Sequence, residues 1–522
     1  MTAKRNPKQP RLAPGAIADE LFCLDPDRDE RAPQLCAETL LTLVQNGYRT
    51  PSEGRLTSPK RQMFALRSLA LGENFLGGRD DGRAGDDETT PAEYGASLAA
   101  GRDVRSSTYL SLAHQTMQGL IDPETQRGSQ PGAWLLRPFH ESLLWYDARK
   151  ASTKSSEYTV RKVCMRGSGI TLARLLVDPA DETAAKLGRA AVAAIREALS
   201  AASPLAMISN RLERALPVDA PYTRPPTLEG DEQAAWDRGA DPKLAHLAKQ
   251  LCRHAEGVMR QAGASGAARL WQLRSILALD LATHVARTAW QTTATPDVER
   301  YLLLSFGDGP RPQDPVRQRS EESYRRARIR LAEAIVQTLA RRMQELAEGS
   351  EPVDWSTEFL FRRSSQSDDT GRSISNQLKK LARNAVAEEY RRVARATIET
   401  ADYSRGAEDG FRVLLESIGA LVGTGSYRYL TAGSDLLAAL VGALSARMPM
   451  PSRDFFAAVR REWGLVINQE SAVDTTLAEQ LDGTGLERNA RRAEKLMSDG
   501  GLALGLSDRT MMVGERASRA SA

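Results

Sequence analysis

The sequence predicts a mainly α-helical protein of several domains, and three observations lead there. Apolar residues recur at three-and-four spacing through most of the chain. Strict polar–apolar alternation is confined to a few short stretches. At 522 residues the chain exceeds what one compact core usually holds, so roughly 3–4 domains are expected. With 41% hydrophobic and 26% charged residues, most of the chain should fold.

The elements follow in order. Lys4, Arg5, Lys8 and Arg11 precede any acid, so residues 1–15 are expected to be a disordered basic tail. Residues 16–76 form an N-terminal helical region: Ala37, Leu40, Leu41 and Val44 share one face, and 63–71 continue the pattern. The Gly- and Asp-rich stretch 77–101 is an exposed loop. A helical domain at 102–216 holds helices at 104–120, 170–177 and 182–201, and a turn at 128–132. An apolar run at 139–146 fits helix or strand, while YTVRKVCM at 158–165 alternates as a short strand. Pro217, Pro221, Pro225 and Pro226 place a linker at 217–240.

A second helical domain spans 241–348, with long helices at 243–261, 267–291 and 321–346. Between them, YLLLSF at 301–306 suits a buried strand or a helix end. A polar, Ser-rich linker occupies 349–371, and helices at 373–400 and 410–422 fill the region 372–433. The last block, 434–515, holds helices at 434–446, 452–463 and 486–497, with Ser452 or Asp454 placed to cap the second. Two short apolar runs, 502–506 and 510–513, then form a hairpin about Ser507-Asp508-Arg509. Three helices followed by a hairpin resemble the winged helix-turn-helix class, which implies a winged-helix-like C-terminal domain.

Composition narrows the function. Net charge is only +4, so any polyanion must be met by a local patch. Arg makes up 59 of the 71 basic residues, the bias a GC-rich bacterial genome produces. Four cysteines without a CxxC pair, a polar N-terminus and the lack of a ~20-residue apolar stretch lead to an expectation of a cytoplasmic protein.

Catalytic and ligand-binding patterns are incomplete. His246, Cys252 and His254 are the densest potential metal ligands, yet a helix turns successive members ~120° and ~160° apart. Glu141 with Asp147 and Lys150 resembles a metal-dependent nuclease pattern but has one residue too many between acid and lysine. His140 beside Glu141 marks the one place where an unfamiliar active site is conceivable. Arg166-Gly167-Ser168-Gly169 precedes a helix and suits an anion, whereas Gly423-Thr424-Gly425 follows one. Neither is a complete phosphate loop, and no Gly-Lys-Ser/Thr, GxSxG or HExxH occurs. No catalytic residue, metal or cofactor is therefore expected.

Basic clusters offer the clearer lead. In 486–497, Leu486, Ala490, Ala493 and Leu496 or Met497 form an apolar side. Arg488, Arg491, Arg492 and Lys495 fall on the other, with Asn489 beside them, as a helix reading duplex DNA would place them. A second cluster comprises Arg317, Arg319, Arg325, Arg326, Arg328 and Arg330. A third comprises Lys379, Lys380, Arg383, Arg391, Arg392 and Arg395. The expected function is a non-enzymatic, DNA-associated scaffold or accessory subunit of a bacterial DNA-processing or phage-defence complex, with duplex DNA and other proteins as partners. The competing readings are a protein-interaction adaptor that does not touch DNA, and an enzyme working near His140 and Glu141.

Overall fold

Capping chemistry sets where several helices begin. In a computed structural model, Asp314 accepts the Arg317 amide at 3.1 Å and Pro315 opens helix α8 (Pro315–Glu348). The structure describes chiefly residues 11–51, 167–200, 230–307, 314–349, 386–399 and 406–514, with short pieces at 61–63, 121–123, 137–150, 158–161, 355–358 and 374–378. The helices before α8 are α1 (Pro14–Phe22), α2 (Ala32–Gln45), α3 (Ser168–Val177), α4 (Glu182–Ser200), α5 (Gly230–Arg238), α6 (Ala245–Met259) and α7 (Gly266–Thr292). After it come α9 (Trp355–Glu358), α10 (Ala387–Ile398), α11 (Ala407–Ser417), α12 (Ser434–Ser445), α13 (Ser452–Trp463), α14 (Gln469–Ala472), α15 (Leu477–Gln480) and α16 (Gly483–Asp499). Among the described residues the architecture is mainly helical, at 70%.

Helix α7 is the axis of the core. It is buried all round, with Gln272, Arg274, Asp280 and His284 among its buried residues. From Leu270 to Trp290 nearly every residue is buried, against α2, α6, α8, α11 and α12. One continuous apolar cluster runs from Ala18 through α2, α3, α6, α7 and α12 to Val513. The segments separated by composition thus share a core. A smaller cluster joins Leu12 and Ile17 to α8, Trp355 and α10.

Strands are short. Strand β1 (Arg61–Met63) pairs parallel with β2 (Tyr146–Lys150), which pairs antiparallel with β3 (Tyr158–Arg161). Strand β4 (Leu302–Leu303) pairs parallel with β8 (Leu465–Val466), and β5 (Leu421–Val422) antiparallel with β6 (Tyr429–Leu430). Both β4 and β8 are fully buried. Strand β7 (Met450–Pro451) joins β9 (Ala503–Ser507) and β10 (Thr510–Val513) in an antiparallel sheet ordered β7-β10-β9. Among the described residues no sheet exceeds three strands, and no helix is long and apolar enough to cross a membrane.

Several expectations are corrected. Arg11 pairs with Glu358 and Leu12 is fully buried, so the basic tail does not extend to residue 15. Residues 230–238 of the expected linker are helix α5, anchored by buried Trp236, and 355–358 of the other are α9, anchored by Trp355. Strand β1 begins where the apolar spacing predicts a continuing helix. Helix α11 stops at Ser417, because Gly419 turns left-handed (φ +69°) and redirects the chain into β5. Neither Ser452 nor Asp454 caps α13, whose N-cap is Pro451. The expectations for 77–101, 104–114, 116–120, 128–132 and 379–385 lie outside the described residues.

The turn before α3 does present its amides to an anion, and the anion belongs to the protein. Glu38, fully buried on α2, accepts from Gly167 N at 3.1 Å and Gly169 N at 2.9 Å. A Cβ at Gly169 would lie 2.7 Å from that of Glu38, so only glycine lets α2 and α3 approach this closely. Replacing Glu38 with Ala strands both amides, and a loss of roughly 2–5 kcal/mol is expected in urea unfolding. An unchanged midpoint would show that the carboxylate is dispensable.

A buried ionic cluster ties α13 to the core. His254 on α6 and Asp280 on α7 are fully buried, with His254 Nδ1 2.9 Å from Asp280 Oδ1. His254 Nε2 faces Glu462 Oε2 of α13 at 3.5 Å, and Trp463 Nε1 donates to Asp280 Oδ1 at 2.6 Å. The His254 and Trp463 rings lie 4.3 Å apart. The Asp280 and Glu462 carboxyl groups thus flank the imidazole on both sides, an arrangement that favours its protonated form. Burial works against that charge, yet the Asp280 and Glu462 carboxylates outweigh it and hold the His254 pKa above its ordinary 6.5. For Glu462, burial opposes the charged form, but His254 and Arg253 bring its pKa down to about 2.

The pH dependence follows from those directions. A raised His254 pKa stabilises fully below 6.5 and loses its effect as pH rises through the folded value. A depressed Glu462 pKa stabilises fully above its ordinary 4.5 and loses its effect as pH falls toward about 2. The Tm gap between the wild type and His254→Gln should therefore narrow once pH passes 6.5. A gap that stays flat or widens up to about pH 9 contradicts a charged imidazole.

Candidate nucleic-acid interface

Helix α16 starts at Asp482, whose side chain accepts the Gly485 amide at 2.7 Å. Leu486, Asn489, Ala490, Ala493 and Met497 are buried. Arg488, Arg491, Arg492 and Lys495 are all exposed, and they span an arc of roughly 100° opposite that stripe. The spacing that buries the apolar residues therefore brings these four cations together on one outward face. Met497 completes the buried stripe while Leu496 is 41% exposed, so of the two alternatives Met497 is the core residue.

Asn489 departs from the expected set. It is 3% exposed, and its amide is spent on the chain itself. Its Nδ2 donates to Leu304 O and Ile467 O at 2.8 Å each, and its Oδ1 accepts Phe306 N at 2.8 Å. It fastens α16 to the extended segment 302–306 and therefore belongs to the inward side of the helix. No helical periodicity could reveal this, because the partners lie far away in sequence.

Two of the outward cations have carboxylates near them. Arg491 lies 3.4 Å from Glu487, with 72% and 62% of the two side chains exposed, a pairing worth little in water. Arg492 lies 4.0 Å from Asp314, at the start of α8. On the far side, Ser452 donates to Glu494 at 2.6 Å and joins α13 to α16.

The second basic cluster is largely spent internally. Arg319 pairs with Glu322, Arg328 with Glu408 and Arg330 with Glu299, while Arg326 donates to the Tyr301 hydroxyl. Arg325 remains exposed. In the third, Arg391 faces Glu388 and Arg395 faces Glu333. Lys379, Lys380 and Arg383 lie outside the described residues.

The other chemical candidates are also committed. The Cys252 thiol contacts Leu175 O at 3.3 Å and His254 faces Asp280, so these two do not converge. Burial raises the Cys252 pKa to about 12 and opposes a reactive thiolate. Tyr48 OH donates to Glu141 at 3.4 Å, and Asp147 sits in β2 in register with Gln62 and Arg161. His140 is buried beside Glu141. Among the described residues, no group of three or more His, Cys, Asp or Glu side chains is placed to hold a metal ion. No family model matches the chain, and neither a curated protein nor a solved structure is similar to it.

Proposed function

We propose that α16 is a DNA-contacting helix and that the chain serves as a non-catalytic, DNA-associated scaffold or accessory subunit. The observation that carries the reading is the outward face of Arg488, Arg491, Arg492 and Lys495 on a helix whose other side is packed. Four cations on one rigid element suit phosphates first, and guanine edges where the helix enters a major groove. Exposed pairing with Glu487 leaves Arg491 available to a stronger anion.

The surroundings support a winged-helix arrangement of the last 80 or so residues. Helix α12, strand β7, helices α13 and α16, then β9 and β10 follow in that order, and β7 pairs with β10 rather than β9. The connection between α13 and α16 is longer than the usual turn of about 3–4 residues, since residues 464–482 add β8, α14 and α15. That insertion pairs β8 with β4, while α12 packs directly on the central helices α6 and α7.

Gel-shift titration of duplex DNA with the wild type and the Arg491→Ala/Arg492→Ala variant tests the proposal. The double variant should bind roughly 50-fold more weakly at about 0.1 M salt while melting at the wild-type temperature. Equal affinities would end the DNA-contacting assignment of α16. An adaptor reading finds its support in Leu504 and Leu506, each 50% exposed on edge strand β9. It predicts no duplex retention by either protein and loss of a protein partner on Leu504→Ser/Leu506→Ser.

A further inference from the structure

We infer that two copies of this chain form a closed two-fold dimer through β9, which pairs antiparallel with β9 of the second copy about Leu504. The inference does not depend on whether α16 touches DNA.

The register of the sheet shows which edge of β9 is open. Strand β10 is its one neighbour, with Met512 opposite Leu504 and Val513 opposite Ala503. Gly514 N donates to Leu502 O at 2.9 Å, so the backbone groups of residues 502 and 504 turn toward β10. Those of Ala503 and Gly505 turn the other way, and no described residue bonds them. The side chains alternate as well. Val513 is fully buried, which puts Ala503 opposite it on the core side, while Leu504 and Leu506 are each 50% exposed.

Native edge strands are usually blunted by charge, proline or a covering element. The sequence of β9, ALGLS, carries neither charge nor proline. The one irregularity of its pairing falls beyond Gly505, so residues 502–505 stay regular. At the opposite edge of the sheet lies β7, where Pro451 has no N–H to offer and α13 starts at once. The sheet therefore presents a second copy with one open edge, β9 itself. Like-to-like pairing of that edge closes after two chains, whereas β9 on β7 would run on as a fibre.

Pairing about Leu504 fits the outward groups. Ala503 of each copy lies opposite Gly505 of the other, and each such pair exchanges both its N–H···O bonds. Leu504 then meets its own counterpart as a non-hydrogen-bonded pair, the arrangement that brings side chains closest, with Leu506 next to it on the strand. No charge on β9 opposes its copy. The contact is small, below the roughly 800 Å² a side of a standard interface, so a Kd of the order of 10 µM is expected.

Sedimentation equilibrium of the full chain between about 1 and about 200 µM tests this. The wild type should pass from the mass of one chain to that of two. Leu504→Lys sets two ammonium groups against each other and should keep the mass of one chain throughout. Its Tm at about 1 µM should equal that of the wild type, because the side chain it replaces is half-exposed. Leu504→Cys brings two Cα atoms about 4.5 Å apart and should give a disulfide-linked dimer on mild oxidation, which the wild type does not. Gly505→Cys, where a Cβ meets no atom within 4 Å, separates them by more than about 7 Å and should not cross-link. A wild type that keeps the mass of one chain at about 200 µM, as a foreign partner on this edge predicts, would overturn the inference. So would a mass above two chains, a Leu504→Lys variant that still dimerises, or Gly505→Cys cross-linking as readily as Leu504→Cys.

Discussion

Asp280→Ala is expected to cost roughly 3–5 kcal/mol of stability, among the largest losses any single substitution should produce in this protein. The substitution leaves the Trp463 indole N–H without its 2.6 Å acceptor and the His254 imidazole without its nearest carboxylate, both deep in the core. A buried donor stripped of its partner loses its hydrogen bond and regains no water. Asp280→Asn keeps an oxygen for Trp463 and should fall in between. Replacing His254 and Asp280 together by Leu and Met should recover part of the loss, since an apolar pair leaves fewer groups unpaired. Urea unfolding of the four proteins measures this, and a loss below about 1 kcal/mol for Asp280→Ala would show that the cluster does not hold α13. Because Ser452 of α13 bonds Glu494 of α16, slackening this anchor should also reduce DNA binding without touching the basic face.

How much of the molecule is legible in the chain depends on how local the cause is. Helix α7 lies within a residue of the span its apolar spacing predicts, and α13 occupies 452–463 as predicted, because periodicity alone decides such helices. The hairpin of β9 and β10 likewise follows from two apolar runs about a turn. Two-residue strands such as β4 and β8 are too short to have a period, and they form because distant segments meet. The anion pattern before α3 is visible in the sequence, but its occupant Glu38 lies more than a hundred residues earlier. The same holds within the candidate site. Helical spacing separates Arg488, Arg491, Arg492 and Lys495 from the core, whereas the inward role of Asn489 depends on Leu304, Phe306 and Ile467.

The second large effect concerns binding. Removing all four outward cations, as Arg488→Ala/Arg491→Ala/Arg492→Ala/Lys495→Ala, should lower duplex affinity by roughly 10³-fold at about 0.1 M salt, provided each meets one phosphate. The fold should survive, because all four side chains are exposed and the stripe of Leu486, Ala490, Ala493 and Met497 is untouched. Circular dichroism and a Tm equal to that of the wild type would establish this. Glu487 loses its partner in the variant, at negligible cost for so exposed a pair.

The most direct test of α16 as the DNA-contacting helix is the salt dependence of duplex binding. Plotting log K against log[salt] for the wild type and the four-cation variant compares the number of counterions each releases. The wild-type slope should be steeper by roughly 0.9 for every phosphate that the variant leaves unneutralised, so about 3.6 for all four. Two parallel lines, or a wild-type line without slope, would contradict the assignment.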